Sequence, residues 1–166
     1  MKLRPLKNED ANGIMEWMKD SSINCYYRFD PNSITYDSIL DFIKRSKTDR
    51  NKHYAIVDEL DEYMGTISLK HIDSDNKNAE YAIALRNKAI GTGIANFATK
   101  EILHIAFKDL NLNKVYLNVL SDNERAIRFY QKIGFEFEGE FKEHLLIKGR
   151  YHDIKWYGIR KNQCVI

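Results

Sequence analysis

Two glycines two residues apart mark the segment of this 166-residue sequence whose chemistry is easiest to interpret. They lie in Lys88-Ala89-Ile90-Gly91-Thr92-Gly93-Ile94, directly after a predicted strand and at the start of a long amphipathic helical pattern. Exposed backbone N–H groups at a helix N-terminus form a pocket for anionic oxygens, which the helix dipole strengthens. The segment predicts phosphate or pyrophosphate binding, although a tight strand-to-helix turn would use the same glycines. It is neither a P-loop nor a dinucleotide fingerprint, because GxxxxGK[ST] is absent and Asn96 replaces the third glycine of GxGxxG.

A second polar segment, from Asn118 to Phe135, begins 25 residues after Gly93. Ser121 and Glu124 fit a helix capping box, and Gly134 is typical of the glycine that ends a helix. A capping role explains those three residues. It does not explain Asn123 and Tyr130, which lie in the same segment and are candidates for chemistry.

The two segments together resemble the GNAT superfamily of acetyl-CoA-dependent N-acetyltransferases. The residues that carry the resemblance are Lys88-x-x-Gly91-x-Gly93 and Asn123-x-x-Ala126-x-x-Phe129-Tyr130-x-x-x-Gly134-Phe135. The likeness covers essentially the whole chain. Its tail, Glu138 to Phe141 and Gly149 to Asp153, is similar to the branch of RimJ/RimL and the bacterial spermidine acetyltransferases. Lys88 departs from the Gln or Arg that the family usually has, but it retains a positive charge.

The resemblance implies acetyl-CoA as cosubstrate, no metal, and direct acetyl transfer to a primary amine of a small molecule or a peptide N-terminus. Asn123 is expected to hydrogen-bond the pantetheine or thioester region, and Tyr130 to lie near the sulfur as general acid. A phenol with a pKa near about 10 can donate to a thiolate whose acid has a pKa near about 8.5. A core role remains the alternative for Tyr130. The residues expected to bind the cosubstrate are Ile83, Ala84, Leu85, Lys88, Ala89, Ile90, Gly91, Thr92, Gly93, Ile94, Asn123, Ala126, Tyr130 and Lys132.

The amine needs a base, because an alkyl ammonium with a pKa near about 10 must lose a proton before it attacks a thioester. Because side chains alternate between the two faces of a strand, Glu80 shares its face with Ala82 and Ala84. Family enzymes often place a carboxylate on this strand that acts through water, so Glu80 is the candidate base and also a substrate contact. A solvated charge at the strand end is the alternative.

The acceptor is predicted to lie near Tyr26-Tyr27-Arg28-Phe29-Asp30, because specificity in this family depends on the N-terminal helices, their loop and the last hairpin. Tyr27 and Arg28 are the candidate contacts. Aromatic rings and a guanidinium suit a sugar or a phosphate, which favours a nucleotide-linked amino sugar over a polyamine, although a polyamine stays an alternative. The aromatic residues could instead close the core. A catalytically silent acyl-CoA-binding module is the alternative from a different class.

Elements that position these residues follow from the periodicity of the apolar residues. The order is strand, two helices, three meander strands, helix, strand, helix and two strands. This order predicts a mixed α/β domain spanning residues 1–166, with helices covering one sheet. The resemblance specifies a GNAT-like, mostly antiparallel twisted sheet of about seven strands flanked by about four helices.

Composition excludes several other classes of protein. Hydrophobic residues make up 43% and charged residues 30%, so the chain is neither disordered nor fibrous. A net charge of +2 argues against a nucleic-acid partner, and no apolar run is long enough for a membrane span. The isolated Cys25 and Cys164 fit a cytoplasmic compartment, and the histidines show no spacing typical of a metal site. Dimers are common among relatives, so a homodimer is compatible with the resemblance.

Overall fold

A computed structural model describes residues 1–27 and 29–164, so Arg28, Val165 and Ile166 lie outside the described residues. The strands are β1 (Lys2–Pro5), β2 (Lys52–Val57), β3 (Tyr63–Asp73), β4 (Asn78–Leu85), β5 (Lys114–Leu120), β6 (Glu136–Ile147) and β7 (Arg150–Arg160). The helices are α1 (Ala11–Lys19), α2 (Ser21–Asn24), α3 (Tyr36–Ser46), α4 (Ile94–His104) and α5 (Glu124–Ile133). The expected mixed α/β class and the seven strands are confirmed. The described helices exceed the expected four by the short α2, which follows α1 almost directly.

The seven strands form one sheet in the order β1-β2-β3-β4-β5-β7-β6. Every neighbouring pair is antiparallel except β4 and β5, which run parallel. That parallel pairing covers only Asn78–Glu80 against Lys114–Tyr116. Farther along, β4 stays paired with β3 as far as Leu85, and β5 stays paired with β7 as far as Leu120. The two middle strands therefore diverge and leave a wedge-shaped opening in the sheet.

Apolar residues alternate between the two faces of the sheet and so build a core on each side. On β2, Ile56 packs into the core that contains α4, whereas Ala55 and Val57 pack into the core that contains α1 and α3. On β4, Tyr81 and Ile83 belong to the α4 side and Ala84 to the α1 side. Side chains of β4 therefore enter the opening from both faces. None of the helices in residues 1–27 and 29–164 is long and apolar enough to cross a membrane.

The apolar pattern of the sequence predicts the last two strands over Phe135–Phe141 and Ile154–Ile159, and the hairpin in the structure is longer. Strands β6 and β7 continue to Ile147 and Arg150 and join through a tight turn in which Lys148 and Gly149 have φ values of 49° and 78°. The sequence pattern missed the extra residues because β6 is mostly exposed and its register shifts between Phe141 and Leu145. Both effects obscure the alternation of apolar and polar residues.

Candidate active site

A cavity of about 790 Å³ occupies the opening between β4 and β5. Its walls come from β4, β5, α5, the loop after α2, and the hairpin of β6 and β7. The residues from the expected site that line it are Tyr27, Glu80, Ile83, Ala84, Leu85, Ile90, Asn123, Ala126 and Tyr130. Residues far apart in sequence are thus brought to one place because the central strands diverge there.

The glycine loop enters α4 through two residues that need positive φ. Gly91 and Gly93 have φ values of 82° and 86°, and Gly93 is the N-cap of α4. The backbone N–H groups of these two glycines donate to no acceptor among the described residues. Two free N–H groups at the N-terminus of a helix can bind anionic oxygens. The side chains of Ala89 and Ile94 are buried in the core, so only their backbone is available to a ligand.

Lys88, the expected cation of this loop, points toward the β2–β3 turn and does not line the cavity. Its ammonium pairs with Glu62, which also accepts from Arg86 at 2.9 Å. The hydrogen bond from Lys88, together with the one from Arg86, lowers the pKa of Glu62. Lys88 must therefore exchange Glu62 for a phosphate if it is to bind one.

Asn123, and not Ser121, is the N-cap of α5. Its Oδ1 accepts from the N–H of Ala126 at 3.2 Å, whereas the Ser121 hydroxyl donates to Glu140 at 2.9 Å. The expected capping box of Ser121 and Glu124 is therefore wrong, because the helix begins one residue after Asn123. The side-chain N–H₂ of Asn123 makes no hydrogen bond with described residues and remains available at the cavity wall.

Tyr130 lines the cavity from the α5 side of the sheet. Its ring packs edge-on against Tyr81 and Phe135, with centroid distances of 5.9 Å to each. The hydroxyl has no hydrogen-bond partner among the described residues, yet it is not enclosed, so it can reach a ligand. Burial of the ring raises the pKa of Tyr130 well above its ordinary value, which keeps the phenol protonated.

Glu80 enters the cavity from the opposite face of the sheet. Its side chain is 16% exposed, and its Oε1 accepts from Lys70 at 3.2 Å and from Asn118 at 3.3 Å. These two donors orient the carboxylate and leave Oε2 free of them. An oriented, largely enclosed carboxylate is suited to accept a proton.

Tyr27 serves both the core and the cavity. Its hydroxyl donates to the carbonyl of Ile83 at 3.0 Å, and its ring packs against Trp17 and Phe29 at 5.5 and 5.7 Å. Burial raises the pKa of Tyr27 to about 12. Its hydroxyl is therefore committed to the β4 backbone, and its ring is what a ligand would meet. The other expected acceptor contact, Arg28, lies outside the described residues.

Several lining residues were not identified from the sequence. Asn118 could have been, because Val115, Leu117 and Val119 face the core and strand alternation turns Asn118 the other way. His71, His144 and Trp156 carried no usable signal. Conversely, Lys132 was expected at the cosubstrate but is exposed on α5 away from the cavity.

Within the described part of the chain, no cluster of three or more His, Cys, Asp or Glu side chains could hold a metal ion.

Comparisons with known proteins agree with this geometry. The family model for the acetyltransferase (GNAT) domain matches residues 1–136. Spermidine N(1)-acetyltransferase of Escherichia coli (strain K12) is 31% identical over 153 residues, which cover 92% of this chain and 82% of that protein. The same enzyme of Vibrio cholerae is 28% identical, covering 92% of this chain and 88% of the relative.

A solved structure gives the same result at the level of the fold. The crystal structure of spermidine N-acetyltransferase from Vibrio cholerae in complex with CoA and spermine has a TM-score of 0.89 and 27% identity. The match covers 98% of this chain and 96% of that one. Acetyl-CoA is thus supported as cosubstrate, and this chain belongs to the GNAT family as an N-acetyltransferase of the branch that includes the spermidine acetyltransferases.

Proposed function

We propose that this protein transfers the acetyl group of acetyl-CoA directly to the primary amine of a small molecule, with Glu80 as base and Tyr130 as acid. The observation that carries the proposal is that these two side chains line one cavity from opposite faces of the sheet. An amine approaching from the α1 side meets Glu80 first. A thiolate leaving toward α5 meets Tyr130.

The base step begins with an ammonium ion, because primary amines have pKa values near about 10. Glu80 removes a proton from that ammonium, directly or through one water molecule. Lys70 and Asn118 hold Oε1 during this step, so the carboxylate keeps one orientation. The free amine can then attack the acetyl carbon.

The acid step uses the Tyr130 hydroxyl, which has no competing partner among the described residues. A phenol with its ordinary pKa near about 10 is protonated at physiological pH, and burial, which raises the pKa of Tyr130, keeps it so. Tyr130 gives its proton to the leaving sulfur as the bond between carbon and sulfur breaks. The nitrogen loses its second proton as the amide forms, and that proton restores the Tyr130 phenol.

Residues for the cosubstrate are arranged along the rest of the opening. Acetyl-CoA supplies the activated acetyl group and the thiolate that leaves. The divergence of β5 leaves the edge of β4 over Ile83, Ala84 and Leu85 without a neighbouring strand on that side, so this backbone can hydrogen-bond an extended pantetheine arm, although the Ile83 carbonyl already accepts from Tyr27. The free N–H groups of Gly91 and Gly93 are the donors for its pyrophosphate.

The lining chemistry favours an acceptor with one amine on an organic body. Among the described lining residues, Glu80 supplies the only carboxylate, and Lys70 already pairs with it. The aromatic rings of Tyr27, Phe29 and Trp156 lie on the acceptor side of the wall. A polyamine carries two or more ammonium groups and would leave some of them unpaired there. A polyamine is nevertheless the second candidate, because the relatives described above acetylate spermidine.

A panel of acceptors tests both candidates. CoA release from acetyl-CoA is quantified with simple primary amines, amino sugars, nucleotide amino sugars, short peptides and spermidine, and the acetylated product is identified by mass spectrometry. Release with an acceptor carrying one amine supports the proposal, and release with spermidine alone supports the second candidate. Tight acetyl-CoA binding without release across the panel would contradict both and indicate a silent binding module.

A further inference from the structure

Strand β3 contains an irregularity next to the candidate base. Its ladder with β4 shifts between Lys70 and Asp73, and His71 in that stretch has a φ of 50°. A residue with a Cβ atom is strained in this left-handed conformation. Irregularities of this kind redirect a side chain away from the regular alternation of the strand.

Two contacts hold His71 in this conformation. Its backbone N–H donates to Oδ1 of Asn51 at 2.8 Å, which fixes the bulged peptide. Its imidazole Nε2 lies 3.5 Å from Oε2 of Glu80, whereas the hydrogen bonds from Lys70 and Asn118 go to Oε1. The distorted backbone therefore directs the ring at the one oxygen of Glu80 that is free to exchange a proton.

Exposure differs sharply along this pair. The side chain of Glu80 is 16% exposed, whereas that of His71 is 70% exposed. The exposed imidazole therefore offers a proton on Glu80 a more open route to bulk water than the largely enclosed carboxylate has by itself. Both side chains line the cavity, so the pair connects the reaction site to solvent.

We propose that His71 is a positioning residue that relays the substrate proton from Glu80 to solvent, an inference that rests on the proposed function. The ammonium of the acceptor gives one proton to the Glu80 carboxylate. The resulting carboxylic acid passes that proton to Nε2 of His71, which is then an imidazolium, and Nδ1 releases a proton to water. Glu80 is regenerated, and His71 is left neutral as its Nε2–H tautomer, which returns to the Nδ1–H tautomer by exchanging protons with water; no electrons are exchanged. A small rotation of the exposed ring closes the 3.5 Å separation to hydrogen-bonding distance.

Other charged and titratable groups face the pair from each neighbouring element. Lys70 lies beside Glu80 on β3, and Tyr116 lies opposite Glu80 on β5. Burial is the larger cause that raises the pKa of Tyr116, and the negative charge of Glu80 is the second. Asp73 adds a smaller effect of the same sign on Tyr116. His144 of β6 lines the same cavity.

Two substitutions keep the backbone conformation while removing the imidazole. Asn and Gly both tolerate positive φ, so His71→Asn and His71→Gly preserve the bulge. We expect each variant to lower kcat/KM about tenfold near pH 7, a fraction of a full general-base effect, with the Kd for acetyl-CoA unchanged. The loss shrinks toward about pH 10, where the amine arrives already deprotonated. The matched control is His104→Gln, which removes the imidazole of an exposed histidine on α4 and, unlike glycine, is compatible with a helix.

Added imidazole distinguishes a relay from a structural contact. His71→Gly leaves space for a free imidazole, and the relay predicts that millimolar imidazole restores activity to this variant and leaves the activity of the control unchanged. A loss of activity that is independent of pH and is not rescued by imidazole would overturn the relay, and so would full activity in both His71 variants. In either case, amine acetylation by the wild-type protein would leave the proposed function standing. Absence of amine acetylation by the wild-type protein would overturn the proposed function itself.

Discussion

Replacing Tyr130 with phenylalanine removes one hydroxyl and little else. The ring keeps its packing against Tyr81 and Phe135, and the lost hydroxyl has no hydrogen-bond partner among the described residues. The free energy of unfolding is therefore expected to stay within about 0.5 kcal/mol of the wild-type value. The proton donor for the leaving thiolate, in contrast, is gone.

The magnitude of the kinetic effect follows from the role of a general acid. Such groups contribute about 10²–10⁴-fold to rate, and a hundredfold loss corresponds to about 2.7 kcal/mol of activation free energy. We expect kcat of Tyr130→Phe to fall at least about a hundredfold. Because the hydroxyl is not assigned to ground-state binding, KM for acetyl-CoA and its Kd should change less than about threefold.

Stopped or continuous detection of the CoA thiol, together with calorimetric titration of acetyl-CoA, measures both quantities. Tyr63→Phe is the matched control: its hydroxyl accepts from Trp17 at 3.1 Å and lies 2.7 Å from Thr66, away from the cavity. This control should lose about 1–3 kcal/mol of stability while keeping its kcat. Retention of wild-type kcat by Tyr130→Phe would refute the assignment of Tyr130 as the acid.

Three further predictions concern binding and stability. Lys88→Ala should raise the Kd for acetyl-CoA about fivefold at low salt in calorimetric titrations, whereas Glu62→Gln, which frees Lys88, should lower this Kd. A lower Kd for Lys88→Ala, or a higher Kd for Glu62→Gln, would contradict the competition between Glu62 and phosphate for Lys88. Asp10→Asn should cost about 3 kcal/mol in urea unfolding, because Asp10 is 2% exposed and accepts twice from Arg4 at 2.8 Å; a loss below about 1 kcal/mol would contradict this. Burial lowers the pKa of His53, so folding favours its neutral form and stability should fall as pH drops below about 6.5, a slope that His53→Gln should flatten in urea melts; an unchanged slope would show that another group is responsible.

The general architecture was predictable because it depends on local patterns. The alternation around Ile56 and the helical stripe from Ile94 each persist over enough residues to specify strand and helix. Gly91 and Gly93 indicated a turn with positive φ, which the structure contains. Gly134 likewise ends α5 with a φ of 109°. Patterns within a single element thus predicted that element well.

Features that depend on contacts between distant segments were not predictable. Nothing near Lys88 in the sequence indicates that Glu62 binds it, because the two are 26 residues apart. No spacing or motif in the sequence indicates a role for His71, because its position beside Glu80 depends on a bulge fixed by Asn51. The divergence of β4 from β5, which creates the cavity, is a property of the sheet and of no single strand.

The most direct test of the central claim is the pH dependence of kcat/KM for Glu80→Gln, measured with the amine identified in the acceptor panel. Glutamine keeps the shape of the side chain but accepts no proton. The exposed Glu124→Gln on α5 serves as the matched control. We predict a loss of about a hundredfold near pH 7 that shrinks as the pH approaches about 10, with acetyl-CoA affinity unchanged. Wild-type activity near neutral pH, or an equal loss at every pH, would contradict the assignment of Glu80 as the base.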